Sequence, residues 1–222
     1  MNLFRTSLLA LTALSLVAPA ARAAVDRDAK LTVGWAEPID VLNPALTSAR
    51  DVGPLLINMF DTLVWLTPEL KATPALAKSW TLSPDGKTYT FTLRDDVTFQ
   101  NGDKFSADDV VFTFNYVVSP DSKVVTRQNV DWIKGAEKVG DYQVRILLKA
   151  PFPAALEYLS GPTPIYPAAY FKKTGLEGFS KAPIGTGPYK ITSVTPGVGV
   201  TMVKNTGYFK DSPLGTPKIG TI

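Results

Sequence analysis

Ser79-Trp80-Thr81-Leu82-Ser83-Pro84-Asp85-Gly86-Lys87-Thr88-Tyr89-Thr90-Phe91-Thr92-Leu93-Arg94 is the stretch that decides the fold. Ser83-Pro84-Asp85-Gly86 suits a type I turn, with Pro at its second position and a Gly free to take a positive φ. Tyr89, Phe91 and Leu93 alternate with Thr88, Thr90 and Thr92, the period of a half-buried strand. The chain continues Phe99-Gln100-Asn101-Gly102-Asp103-Lys104-Phe105-Ser106-Ala107-Asp108-Asp109-Val110. Asn101-Gly102 supplies a second turn. Ser106 stands where a helix N-cap belongs, and Asp108 and Asp109 in the first turn favour the helix dipole. Val110, Val111, Phe114, Val117 and Val118 fall on one face of the helix that follows. A hairpin, a turn and a capped helix make a sturdy α+β unit.

The order of these residues carries more than their physics. Trp80-x-x-Ser83-Pro84-Asp85-Gly86-x-x-Tyr89-x-Phe91-x-Leu93-Arg94, then Val97-x-Phe99-x-Asn101-Gly102 and Phe105-x-Ala107-x-Asp109-Val110, closely resembles the solute-binding proteins of family 5. These are extracytoplasmic receptors of peptide-type ABC importers. Three further segments are similar to the family's. Leu42-Asn43-Pro44 matches its Leu-Asp-Pro-like turn, with Asn in place of Asp. Gly185-Thr186-Gly187-Pro188-Tyr189 matches the segment where the chain returns from an inserted domain, and Asn205-x-x-Tyr208-Phe209 matches Asn-x-x-Tyr-Trp, with Phe in place of Trp.

The resemblance implies an α/β fragment of the type II periplasmic-binding-protein-like fold, three-domain subclass, with mixed β-sheets, packed helices and the second lobe missing. Its expected division is 24–72 as the first segment of domain I, 73–183 as the inserted domain II, and 184–222 as the truncated return of domain I.

The N-terminal 23 residues read as a signal peptide rather than as fold; an N-terminal anchor or a disordered tail is the competing reading. Met1 to Arg5 carry positive charge, Leu8 to Val17 form an apolar run, and Ala21-Arg22-Ala23 offers a small-x-small cleavage site. That run is shorter than the about 20 residues a membrane span needs, so the chain is not expected to span a membrane. Cysteine is absent, which excludes a lipobox, disulfides and thiolate metal sites. Removing 1–23 takes away two arginines and no acids, leaving 21 basic against 20 acidic residues. No nucleic-acid surface is expected from so balanced a charge.

Elsewhere the pattern predicts a strand at Lys30–Trp35, a helix over Val52–Phe60 and a strand at Leu63–Trp65. A polar crossing should follow over Glu69–Pro74, then one helical turn at Ala75–Lys78. Ser119–Asn129 reads as a loop, Tyr142–Leu148 as a strand, Ala154–Leu159 as a short helix and Ile165–Pro167 as a strand end. Pro167–Lys173 reads as a helix with Gly175 near its end, and Tyr189–Val194 and Val198–Val203 as paired strands. Lys218-Ile219 opens one more strand.

Histidine is absent, so the usual base of Ser-His or Cys-His catalysis is missing, and no enzyme activity, metal site or cofactor is expected. The pairs Asp95-Asp96 and Asp108-Asp109 suit a strand-end turn and a helix start rather than acid–base work. Gly185-Thr186-Gly187 precedes a strand and lacks a closing Gly-Lys-Ser/Thr, so it reads as a turn and not as a phosphate loop. With 10% aromatic residues at core-like spacing, core is the default for the rings.

The family's loop after the Leu-Asp-Pro-like turn reaches into the cleft between lobes, which makes Thr47, Ser48, Ala49, Arg50 and Asp51 the candidate ligand-binding residues. Arg50 and Asp51 could meet a ligand carboxylate and amine; a solvated loop with a local ion pair is the other reading. The implied partners are a peptide or similar small solute and the permease subunits of an ABC importer, with capture by closure of two lobes. Nickel chelates, oligosaccharides or opines are alternative ligands within the family, and a truncated product without ligand binding is a further alternative.

Overall fold

The quoted hairpin forms one half of a four-stranded antiparallel sheet in a computed structural model that describes residues 28–35, 39, 41–48, 52–195 and 197–222. Strands β1 (Val64–Leu66) and β2 (Ala72–Pro74) form a hairpin after helix α1 (Gly53–Met59). Then come β3 (Ala77–Leu82), β4 (Thr88–Leu93), α2 (Ala107–Val118), β5 (Ile133–Gly140), β6 (Gln143–Leu148), α3 (Ala155–Leu159) and α4 (Ala168–Lys181). A last hairpin pairs β7 (Tyr189–Thr195) with β8 (Gly199–Lys204). The central sheet runs β3-β4-β6-β5.

The turn between β3 and β4 forms as its residues require. Gly86 takes φ 68°, its N–H donates to Ser83 O at 2.9 Å, and Ser83 and Asp85 are joined by their side chains. The alternation in β4 holds: Tyr89, Phe91 and Leu93 are buried. Helix α2 closes over the sheet with Val110, Phe114 and Val117 buried, against a sheet face that includes Phe91, Val144 and Ile146. Each such side chain contributes about 1.5–3 kcal/mol when withdrawn from water.

Ser106 caps α2 in a full capping box, accepting from Asp108 N while the Asp109 carboxylate accepts from Ser106 N at 2.9 Å. The other Asp109 oxygen accepts from Ala168 N at 2.8 Å, so one carboxylate fastens the starts of α2 and α4. Burial pushes the Asp109 carboxyl up. Asp108 pairs with Lys138, Asp95 with Lys78 and Asp96 with Arg94, a structural partner for each of these acids.

Several expectations are corrected. Ala75–Lys78 is a bend leading into β3 rather than a helical turn. Leu76 N donates to Thr62 O and Ala77 N to Leu63 O, so tertiary pairing overrides the helix propensity of Ala and Leu. Half of the Glu69–Pro74 crossing is β2, paired with β1. Lys30–Trp35 forms one bridge, Lys30 parallel to Thr221, and has no ladder among the described residues.

The edge strand β5 carries no alternation because register shifts interrupt it at Ile133/Gly135 and Lys138/Gly140. From α2, Asn115 serves both backbone groups of Ala136, accepting from its N at 2.8 Å and donating to its O at 3.0 Å. That leaves Ala136 no free backbone group for edge pairing. Ile165–Pro167 belongs to no strand: Ile165 N donates to Asp61 O, and Tyr166 N to Thr113 Oγ1. Helix α4 runs past its expected end to Lys181, in two pieces that meet at Gly175, where φ is 68°. Ser119–Asn129 holds a 3-10 turn at Arg127–Asn129, and the strand expected from Lys218 pairs with β8 at Gly220–Ile222.

Candidate functional site

Three distant segments cross behind the site, and two glycines let them do so. Gly187 N donates to Met59 O at 2.9 Å, and a Cβ on Gly185 would stand 2.0 Å from that same oxygen. Only a residue without a side chain allows so close a backbone approach. Gln100 stitches the crossing: its amide nitrogen donates to Tyr189 O at 2.7 Å and Met59 O at 3.1 Å, and its backbone N donates to Gly185 O. Asn205 joins the third segment, donating from its amide to Gly187 O at 3.0 Å.

A carboxylate is buried at this crossing. Asp61 accepts from Thr186 Oγ1 at 2.7 Å and from Tyr208 OH at 2.8 Å, and Tyr208 OH also meets Ser212 Oγ. Loss of water outweighs those two hydrogen bonds and pushes the Asp61 carboxyl up to about 6. The same burial, with Asp61 beside it, raises the Tyr208 hydroxyl.

The Leu42-Asn43-Pro44 turn sits next to the crossing. Asn43 Oδ1 caps Ala45 N at 3.0 Å and its amide donates to Ser180 Oγ at 3.0 Å. Ser180 Oγ in turn donates to Leu176 O, so it needs a donor from Asn43. An ionised Asp would cap Ala45 but could not supply that donor, which is a physical reason for the Asn here.

These supports converge on an open cleft of about 530 Å³. Leu56 and Ile57 of α1, Phe60, and Trp65 and Leu66 of β1 form an apolar side. Thr47, Ser48, Thr62, Thr126, Asn129 and Ser160 supply hydroxyl and amide groups. Val125 N donates to Ala45 O, which brings the 124–129 loop beside Thr47, and Thr62 Oγ1 lies 3.3 Å from Ser160 O, which places the 160–164 loop.

Behind Pro44, Pro162 and Pro164 lies a cavity of about 10 Å³, lined by Thr163, whose buried hydroxyl has no hydrogen-bond partner among the described residues. A second groove of about 720 Å³ runs between residues 30–35, α1 and the β7–β8 hairpin; neither Thr47 nor Ser48 lines it.

Of the expected ligand-binding residues, Thr47 and Ser48 line the 530 Å³ cleft, while Ala49, Arg50 and Asp51 lie outside the described residues, as does the signal-like segment 1–23. Sequence reasoning misses Trp65, Thr126, Asn129 and Ser160. They reach the cleft from segments up to about a hundred positions away, and no local pattern marks them. Asp61 does carry a signal: it is the lone acid in Met59-Phe60-Asp61-Thr62-Leu63, a context that implies burial.

The chain has counterparts among known proteins. The family model for bacterial extracellular solute-binding proteins, family 5, middle region, matches residues 71–222. The chain belongs to the family 5 bacterial extracellular solute-binding proteins.

Among its relatives is the nickel-binding periplasmic protein of Escherichia coli, 32% identical over 193 residues, which cover 83% of this chain and 35% of that one. The glutathione-binding protein GsiB of Salmonella paratyphi A is 32% identical over 169 residues, covering 74% and 32%. A solved structure, the oligopeptide-binding protein AppA of Bacillus subtilis with a nonapeptide, superposes with a TM-score of 0.73 at 26% identity, covering 87% of this chain and 37% of that one. The chain thus spans about a third of the length of the curated relatives it matches. Among the described residues no helix is long and apolar enough to cross a membrane.

Proposed function

We propose that this chain contributes one wall of a periplasmic receptor that captures peptides or similar small solutes and presents them to the permease subunits of an ABC importer. The observation that carries the reading is the 530 Å³ cleft, in a chain of this family, with Thr47 and Ser48 of the expected loop on its rim. Its volume falls within the about 300–1,000 Å³ of small-molecule sites. Capture without chemistry suits a lining of hydroxyls, amides and apolar side chains. Thr47 to Asp51 are the proposed ligand loop, with Arg50 and Asp51 as its charges. The proposed division is 24–72 and 184–222 for one domain and 73–183 for the other, with export directed by residues 1–23.

A peptide is the first choice of solute because relatives are named for a tripeptide, glutathione, and solved with a nonapeptide. A metal-chelate solute is the second reading, favoured by the nickel-binding relative. Titration of the 222-residue chain with di-, tri- and oligopeptides, and with nickel–histidine, decides between them.

The cleft is open among the described residues, so weak binding is expected. Halving a micromolar receptor's about −8 kcal/mol leaves about −4 kcal/mol, a millimolar affinity. Saturable peptide binding in that range, with smaller response to the chelate, is the expected result. Response to the chelate alone overturns the peptide assignment.

A further inference from the structure

We infer that the apolar side of the cleft is a specificity subsite for one uncharged, apolar side chain of a peptide, with Trp65 as its determinant. This rests on the reading of the cleft as the solute site. None of the described residues that line it is Asp, Glu, Lys or Arg. A charged side chain entering there would meet no counter-charge from Leu56, Ile57, Phe60, Trp65 or Leu66, which disfavours it. A Leu- or Phe-like side chain would lose nothing of the kind.

The rings of this protein are mostly spent on one another, but that of Trp65 is not. Trp80 packs on Phe91, and Trp132 packs on Phe152 while its indole N–H donates to Asn129 O. Trp65 has neither a ring partner nor a hydrogen bond from its indole among the described residues, and it stands half-buried in the cleft wall. It is carried by β1 in register with Thr73 of β2, so its backbone is fixed. A fixed indole offers large contact area at the loss of only two torsions. Beside it, Ile57 is 45% exposed although it is large and apolar.

Across the cleft, the side chains of Thr126 and Asn129 have no hydrogen-bond partner among the described residues. Free amide and hydroxyl groups facing an apolar wall match an extended peptide, its main chain toward Asn129 and one side chain toward Trp65. That arrangement commits the subsite to an apolar residue.

The test uses the ¹⁵N-labelled 222-residue chain titrated with Gly-Leu-Gly, Gly-Glu-Gly and Gly-Lys-Gly, followed by amide and indole N–H shifts, which report millimolar binding. The Trp65 indole signal is assigned by its loss in Trp65→Phe. Gly-Leu-Gly should saturate the Trp65 shift at a concentration at least about tenfold lower than either charged peptide, the ratio that about 1.4 kcal/mol represents. Trp65→Ala should bring the ratio, read on the Asn129 amide, to within twofold. Ile57→Ser, at a position 45% exposed, should lower it as well. If charged peptides move the cleft signals as readily as Gly-Leu-Gly, the subsite is overturned while the cleft reading stands. If no peptide moves any signal of the cleft, the cleft reading itself falls, and the subsite with it.

Discussion

Replacing Asp61 by Asn should make the protein more stable at neutral pH, by a margin that opens between pH 4 and 6. The carboxyl is fully enclosed, its partners are two hydroxyls, and its pKa rises from 3.8 to about 6 on folding. A group whose folded pKa is raised binds its proton more tightly in the fold. Its stabilisation is therefore complete below 3.8, the unfolded value, and is lost as pH climbs through about 6. At about 1.4 kcal/mol per tenfold change in proton affinity, that loss comes to about 3 kcal/mol.

The amide introduced by Asp61→Asn would keep the shape and stay neutral, accepting from one hydroxyl and donating to the other. The partnered carboxylates Asp28, Asp85, Asp95, Asp96 and Glu177 are shifted down and act the opposite way, but both proteins share them, so their effect cancels in the difference. Urea unfolding at pH 4, 5, 6 and 7 should give similar stabilities near pH 4 and a gap widening to about 3 kcal/mol in favour of Asp61→Asn at pH 7. A gap that is flat with pH, or that opens toward acid, would refute the reasoning.

Gly185→Ala should destabilise by more than about 4 kcal/mol, because its Cβ would meet Met59 O at 2.0 Å; Gly53→Ala, with open space around it, is the control and should change stability by less than about 1 kcal/mol. Asn43→Asp should cost about 1–3 kcal/mol at pH 7 through the lost donor to Ser180, and less at pH 3, where a protonated Asp can donate; comparison of urea midpoints at the two pH values checks it. Export is expected to end in cleavage after Ala23, so N-terminal sequencing of periplasmic material should read Ala24-Val25-Asp26, and a chain still starting at Met1 would refute it.

The parts of the fold legible in the sequence are those that local chemistry decides. A Pro-Asp-Gly turn, an alternating Thr/aromatic strand and a Ser-x-x-Asp cap each choose their conformation within a few residues, and the structure places all three as read. Ala75–Lys78 misleads because its propensity and its tertiary pairing disagree, and the pairing with Thr62 and Leu63 wins. Strand β5 is invisible in the sequence because its bulges break the period that would announce it. The same division runs through the cleft. Thr47 and Ser48 follow directly from a recognisable turn, whereas Trp65, Thr126 and Asn129 become neighbours through contacts such as Val125 N to Ala45 O.

The two sides of the cleft also differ in how firmly they are held. Trp65 and Leu66 sit on β1, a few residues after Met59 and Asp61, where buried hydrogen bonds tie that segment to Gly187, Gln100, Thr186 and Tyr208. Thr126, Asn129 and Ser160 sit on turns, where backbone adjustment is cheaper. A fixed apolar face discriminates by shape, since a rigid surface cannot relax around a poor fit. Amides and hydroxyls carried on turns can follow the main chain of whatever peptide that face has admitted. Selection at Trp65 and accommodation at Asn129 are thus consequences of where the chain places its buried hydrogen bonds. Loosening the crossing with Gln100→Ala, far from solute contact, should therefore blunt the preference for Gly-Leu-Gly over its charged counterparts before it abolishes binding.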